Sequence, residues 1–277
     1  MLDLDTQLRI EGFLKTVEQA PRSLLLLDYD GTLAPFRVMR DRAFPYPGIA
    51  RAVQEIVSSG RTRVVIVSGR DVNETVPLLG VAPVPEVWGL HGLQRRRPDG
   101  SIEMIRIDVG DLDALSAAEQ WLNDQHMRQK AEIKTGSIAV HWRGATNHEI
   151  ERWRGRVLAG WRPIADGSRL ELLDFDGGVE IRVPEVNKGD VVRTVLREME
   201  TGIPAAYLGD DHTDEAAFNA INGLGLSALV RARLRHTAAQ VWLKPPEEVF
   251  EFLTDWAVAI RTVDATAGRP ASAVVGR

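Results

Sequence analysis

Cysteine is absent from all 277 residues, which excludes disulfides, thiolate metal sites and cysteine nucleophiles. Long apolar runs are absent too. No stretch approaches the roughly 18 apolar residues of a membrane span. Residues 1–20 interleave Asp3, Asp5, Arg9, Glu11, Lys15 and Glu18 with apolar positions, a pattern that predicts an amphipathic helix and lacks the apolar stretch of a secretion signal. Excess positive charge is the third absence. A formal net charge of -5 argues against nucleic-acid or anionic-membrane partners, which need a positive field. A soluble, cytoplasmic protein is the default expectation, and any anionic substrate must meet local positive charge. What remains is ordinary: 44% hydrophobic and 26% charged residues suit a globular chain with one large core, or a core plus a smaller domain.

Several short apolar runs end in small or acidic residues and are followed by helix-like stretches, as in strands buried on both faces of a parallel sheet. Ser23–Leu27 runs into Asp28, Val64–Val67 into Ser68, Val87–Leu90 into His91 and Gly92, and Ala205–Leu208 into Gly209, Asp210 and Asp211. In an open α/β sheet such strand ends converge on the ligand crevice. The middle differs. A helical spacing over Asp111–Lys130 precedes strand-like Ile138–Trp142, Leu170–Leu173 and Val179–Val183, with a turn at Asp176-Gly177-Gly178. The expected organisation is an α/β parallel-sheet core formed by 1–107 and 180–277, with an inserted α+β cap at 108–179. Arg95–Gly100 predicts a hairpin leading to the insert, and Ala265–Arg277 a loose tail.

Four segments carry candidate chemistry. In Asp28-Tyr29-Asp30-Gly31-Thr32, two carboxylates at a strand tip face one ligand only if the chain turns there, which Gly31 permits. Gly209-Asp210-Asp211-His212-Thr213-Asp214-Glu215 packs acids that repel one another unless a cation intervenes, and all-oxygen donors suit magnesium. A helix N-terminus would account for Asp214 and Glu215, less readily for Asp210. Ser68-Gly69-Arg70 offers a hydroxyl and backbone amides as a phosphate seat, with Arg70 in reach of an anionic or hydroxyl-rich ligand. Asn187-Lys188-Gly189-Asp190 opens a helical stretch over 190–200.

Asp28-x-Asp30-Gly31-Thr32, Ser68, Lys188 and Gly209-Asp210-Asp211-x-x-Asp214 stand in the order of the four motifs of haloacid dehalogenase-like phosphatases, which the chain resembles. Ile66–Arg70, His91-Gly92, Glu132-x-Lys134, His141-x-Arg143, Glu180-Ile181-Arg182 and Thr213-Asp214-Glu215-x-x-Phe218 further resemble trehalose-6-phosphate phosphatases, over roughly residues 20–255. The resemblance implies a Rossmann-like, haloacid dehalogenase-like core with a cap that sets specificity. It also implies hydrolysis of trehalose 6-phosphate to trehalose and phosphate. Asp28 would then be the nucleophile and Asp30 the acid and base, a division of labour that carboxylates perform well. Lys188, Thr32, Ser68 and Gly69 would contact the phosphoryl group. Magnesium would be held by Asp28, the Asp30 carbonyl and Asp210, supported by Asp211 and Asp214. Arg70, His91, Glu132, Lys134, His141, Arg143 and Glu180 would grip the sugar. Glu132 shares a face with Lys134, and His141 with Arg143, by strand alternation. The residues by themselves also allow buried or solvated structural roles for these side chains, and Trp121 and Trp153 read as packing. The alternatives are a phosphatase for glucosylglycerol phosphate, sucrose phosphate or glucosyl phosphoglycerate, a sugar phosphomutase, and a non-catalytic sugar-phosphate sensor.

Overall fold

The computed structural model describes residues 4–104, 108–134, 136–175, 177–183 and 186–267. In chain order its elements are α1 (Leu4–Gln19), β1 (Ser23–Asp28), α2 (Ile49–Ser58), β2 (Thr62–Val67), α3 (Val72–Leu79), β3 (Glu86–Gly89), β4 (Gln94–Arg96) and β5 (Ile102–Met104). The insert supplies α4 (Val109–Asp124), β6 (Ala131–Lys134), β7 (Ser137–His141), α5 (Asn147–Asp166), β8 (Glu171–Phe175) and β9 (Gly178–Arg182). The chain then returns through α6 (Lys188–Arg197), β10 (Ala205–Gly209), α7 (Glu215–Ile221), β11 (Leu226–Val230), β12 (Val241–Leu243) and α8 (Glu247–Ala267).

The larger sheet has the order β12-β11-β10-β1-β2-β3-β4-β5 and is parallel from β12 to β3, with β4 and β5 added antiparallel. Alternation along its central strand explains the two helical layers. Leu25 and Leu27 of β1 pack with α1, α2, α3 and α8, while Leu24 and Leu26 face Val191, Val195, Phe218 and Ile221 of α6 and α7. Each such leucine, removed from water on both faces of the sheet, contributes about 1.5–3 kcal/mol. The smaller sheet, β6-β7-β9-β8, is antiparallel and is covered by α4 and α5 around Leu122, Val157 and Trp161.

Two boundaries differ from the sequence expectation. β9 continues past residue 179 to Arg182, because Val179 and Ile181 face the insert's core while the register with β7 holds as far as Ser137 opposite Arg182. Glu180 is therefore carried by the insert's sheet. At the other end, α8 keeps 265–267 helical, whereas the rest of the expected tail, 268–277, lies outside the described residues, as does Asp176 of the expected turn. Among the described residues no helix is long and apolar enough to cross a membrane.

Candidate active site

Strand register brings the polar clusters together. Leu27 stands beside Leu208 of β10 and Asp28 beside Val67 of β2, so the loops after β1, β2 and β10 open at one sheet end. Chain order also turns here: β2 and β3 lie on one side of β1, β10 to β12 on the other, the crevice where doubly wound sheets hold ligands.

Asp28 is buried at the end of β1. Its Oδ1 accepts a hydrogen bond from Lys188 Nζ at 2.6 Å, and its Oδ2 one from Thr32 Oγ1 at 3.0 Å. Burial pushes the Asp28 carboxyl up to about 7, against the pull of Lys188. Lys188 begins α6, which Asn187 caps by accepting from the amides of Gly189 and Asp190. Burial opposes the Lys188 charge, yet Asp214 and Asp28 together hold it above the ordinary lysine range.

Asp214 anchors the acidic loop. Its Oδ1 accepts from Lys188 Nζ at 2.7 Å and Tyr207 Oη at 2.6 Å, and its Oδ2 from the amides of Asp210 and Asp211 at 3.0 and 2.9 Å. Asp210 is different. Among the described residues no donor reaches its buried carboxylate, which burial and the charges of Asp28, Asp214 and Asp211 push well above its usual range. Carboxylate oxygens of Asp28, Asp210 and Asp214 lie within 4.8 Å of one another. Each Asp214 oxygen already accepts two hydrogen bonds, whereas each Asp28 oxygen accepts one, so Asp28 and Asp210 keep lone pairs open to a cation. Two buried, mutually repelling carboxylates fit a hard divalent ion. Gly31 makes this approach possible: its φ is +88°, and a Cβ there would come within 2.1 Å of Asp210 Oδ2.

Asp30 is forked by Arg70, with Nε to Oδ2 at 2.6 Å and Nη2 to Oδ1 at 2.7 Å. Burial alone would raise this carboxyl, but Arg70, with Arg143 and Arg40 beyond it, holds it below the usual carboxylate range. The remaining Arg70 nitrogen, Nη1, donates to the Arg40 carbonyl at 2.8 Å. Arg70 was expected to reach the ligand; in this structure its donors serve the protein.

The insert contributes residues to the same cavity. Glu132 of β6 is ion-paired with Arg40, accepts or shares a hydrogen bond with His141 Nε2 at 2.9 Å, and lies 3.4 Å from Lys134 Nζ. Lys134 donates to the Gly69 carbonyl, and burial with the nearby Arg40 charge lowers it to about 8. Burial and the charges of Arg143, Arg40 and Lys134 take His141 down to about 3, so it is neutral. His91, after β3, reaches Glu180 of β9 at 3.1 Å.

Of the residues expected at the site, all but Thr32, Ser68 and Asp214 line one cavity of about 90 Å³. Those three sit behind its wall. Thr32 Oγ1 donates to Asp28, and Ser68 Oγ accepts from the Arg70 amide at 3.0 Å. Arg40, Phe36, Ala139, Phe175 and Thr213 line it without having been anticipated. Nothing in the local sequence marks Arg40. Tyr207, the polar-tipped residue in an otherwise apolar strand, did carry a signal, since a buried tyrosine hydroxyl needs a partner.

Residues 26–244 match the trehalose-phosphatase family. The chain belongs to that family. It is 30% identical over 246 residues to the trehalose-phosphate phosphatase of Mycobacterium marinum, an alignment covering 84% of this chain and 60% of that protein. The chain thus spans about 60% of the length of the mycobacterial relatives it matches. Its fold matches the C-terminal domain of Candida albicans trehalose-6-phosphate phosphatase with a TM-score of 0.78 at 21% identity, covering 90% of this chain and 96% of that one. A haloacid dehalogenase-like hydrolase from B. subtilis shares the fold more distantly, with a TM-score of 0.58 at 15% identity over 83% of this chain and 98% of that one. The architecture is therefore the haloacid dehalogenase-like α/β fold.

Proposed function

We propose that the chain is a magnesium-dependent phosphatase that hydrolyses trehalose 6-phosphate through an aspartyl-phosphate on Asp28, with the insert, from about residue 108 to Arg182, as its cap. The observation that carries this reading is the placement of Asp28 Oδ1 2.6 Å from Lys188, on the cavity wall beside the donor-free Asp210. Membership of the trehalose-phosphatase family supports the substrate.

Asp28 attacks phosphorus as the bond to the sugar oxygen breaks, and Asp30, once protonated, gives its proton to that leaving oxygen. Asp30 then takes a proton from the water that attacks the phosphoenzyme and releases phosphate. For this, Asp30 exchanges its fork with Arg70 for a proton as the substrate enters. Lys188 favours the ionised form of Asp28 against its burial, holds it in position and places positive charge where the phosphoryl group arrives. Asp28, Asp210 and the Asp30 carbonyl would hold magnesium, which when bound neutralises charge on the transferring group. Glu132, Lys134, His141, Arg143, Glu180 and His91 supply the polar surface for sugar hydroxyls.

The test is phosphate release from a panel of sugar phosphates, with magnesium and with EDTA. Wild type should prefer trehalose 6-phosphate and fall silent in EDTA, and Asp28→Asn should be inactive while folded. Substantial turnover by Asp28→Asn would remove it as nucleophile, and preference for another glycosyl phosphate would redirect the cap assignment.

A further inference from the structure

Tyr207 stands behind the cavity and does not line it. In the middle of β10, with Leu26 and Ser227 as its register neighbours, its ring packs into the apolar layer under α6 and α7. Phe218 meets it edge-on, with 5.8 Å between ring centroids. The residue is 0% exposed, and its hydroxyl donates to Asp214 Oδ1 at 2.6 Å. Burial and the charges of Asp214 and Asp28 push that hydroxyl well above the usual tyrosine range, so it stays protonated and acts as a fixed donor.

The oxygen that Tyr207 reaches is also reached by Lys188 Nζ at 2.7 Å, and Nζ stands 2.6 Å from Asp28 Oδ1. Tyr207 is thereby connected to Asp28 through two shared groups. A carboxylate oxygen offers two lone pairs. On Asp214 Oδ1 the phenol takes one and the ammonium the other, while the amides of Asp210 and Asp211 fill Oδ2. Asp214 therefore has no lone pair left for a cation, although it offers an oxygen within 4.8 Å of those of Asp28 and Asp210. Magnesium is typically held by one or two protein carboxylates, with substrate oxygens and waters completing its shell. A third carboxylate would take a place that a phosphate oxygen or water needs. With the phenol gone, Oδ1 would regain a lone pair, and its undivided charge would draw Lys188 away from Asp28.

Resting on the phosphatase function above, we propose that Tyr207 is a positioning residue whose hydroxyl occupies Asp214, keeping Asp214 out of the cation's ligand set and Lys188 shared with Asp28.

Tyr207→Phe removes one oxygen and keeps the ring. The experiment measures kcat and KM on trehalose 6-phosphate and, without substrate, the melting temperature across a magnesium titration. kcat should fall about tenfold, the scale of one hydrogen bond to a charged group, with a much smaller change in KM. The magnesium concentration that gives half of the thermal stabilisation should fall about threefold or more, as a third carboxylate joins the site. Phe218→Leu is the control, since it loosens the packing of the same ring and leaves the hydroxyl. It should lower the melting temperature without moving the magnesium midpoint. A wild-type kcat in Tyr207→Phe, a magnesium midpoint unchanged or raised, or both effects reproduced by Phe218→Leu would overturn the assignment. If wild type releases phosphate from no sugar phosphate, the phosphatase function falls, and the magnesium midpoint alone decides whether Tyr207 keeps Asp214 from the cation.

Discussion

Asp214→Ala tests whether one carboxylate organises the whole acidic loop. Asp214 is 0% exposed and accepts four hydrogen bonds, from Lys188, Tyr207 and the amides of Asp210 and Asp211. Truncation strands two buried amides and a tyrosine hydroxyl at about 1–3 kcal/mol each, and breaking a buried ion pair costs about 3–5 kcal/mol. These terms overlap, because Lys188 keeps Asp28 as a partner and water can enter the void. The expected loss is therefore about 4–6 kcal/mol, a large part of the 5–15 kcal/mol that holds a typical protein folded. Urea unfolding followed by tryptophan fluorescence should show a lower midpoint at unchanged slope. Asp214→Asn should fare little better, since its NH₂ group must face either Lys188 and Tyr207 or the two amides, donor against donor in both cases. A loss below about 1 kcal/mol for Asp214→Ala would refute the anchoring role, because it equals a single ordinary hydrogen bond.

Gly31→Ala should abolish phosphate release and the stabilisation by magnesium together, because the new methyl would displace the Asp210 carboxylate and strain a positive φ; a variant that keeps wild-type activity would show that Asp210 can move freely. The raised Asp28 carboxyl makes a pH statement. Its value is about 7 in the fold against 3.8 unfolded, so the unfolded chain binds fewer protons between those values and folding weakens as pH rises through them. In EDTA, the stability of wild type relative to Asp28→Asn should fall from pH 4 to pH 7, with the histidine contributions shared by both proteins. Magnesium should reverse that trend, and its stabilising effect should be larger at pH 7.5 than at pH 5.5, since a ligand must lose its proton to bind. A relative stability that rises with pH in EDTA would contradict the burial of a reluctant charge at Asp28.

The buried strands were legible because their residues are apolar on both faces, and each ends in a polar cluster. That pattern predicts that Asp28 and Asp210 meet at one sheet end, as the register of β1 with β10 has them. α5 also carries a sequence signal: Thr146 and Glu149 form a capping box at its start, a pattern readable three residues apart. The expected helix over Asp111–Lys130 stops at Asp124 because His126 takes a positive φ of 56°, and the chain resumes as a short tight turn at Arg128–Lys130. Roles that depend on partners far along the chain were not legible. Arg70 looks like a ligand-binding arginine in its own segment; only the fold brings Asp30 into its fork. Arg40 opens a single 3-10 turn, Arg40–Arg42, too short for periodicity to mark it, and its ion pair comes from Glu132 of β6, far downstream in sequence.

The seam between the insert and the main sheet follows the same logic. The insert's apolar core draws on residues from Leu115 to Val183 and includes none of the side chains that pack the larger sheet. What crosses the seam around the cavity is polar: Arg40 with Glu132, Lys134 with the Gly69 carbonyl, His91 with Glu180, and Arg143 stacked over Phe36 at 5.1 Å. Apolar burial would weld the two parts, whereas such contacts exchange readily for water or for ligand hydroxyls, and interfaces of this character accommodate relative movement. Most of the residues that hold the insert down are thus the same ones proposed to grip the sugar. On that proposal, substrate entry would replace seam contacts with sugar contacts of the same chemical type, with no large change in the number of satisfied groups.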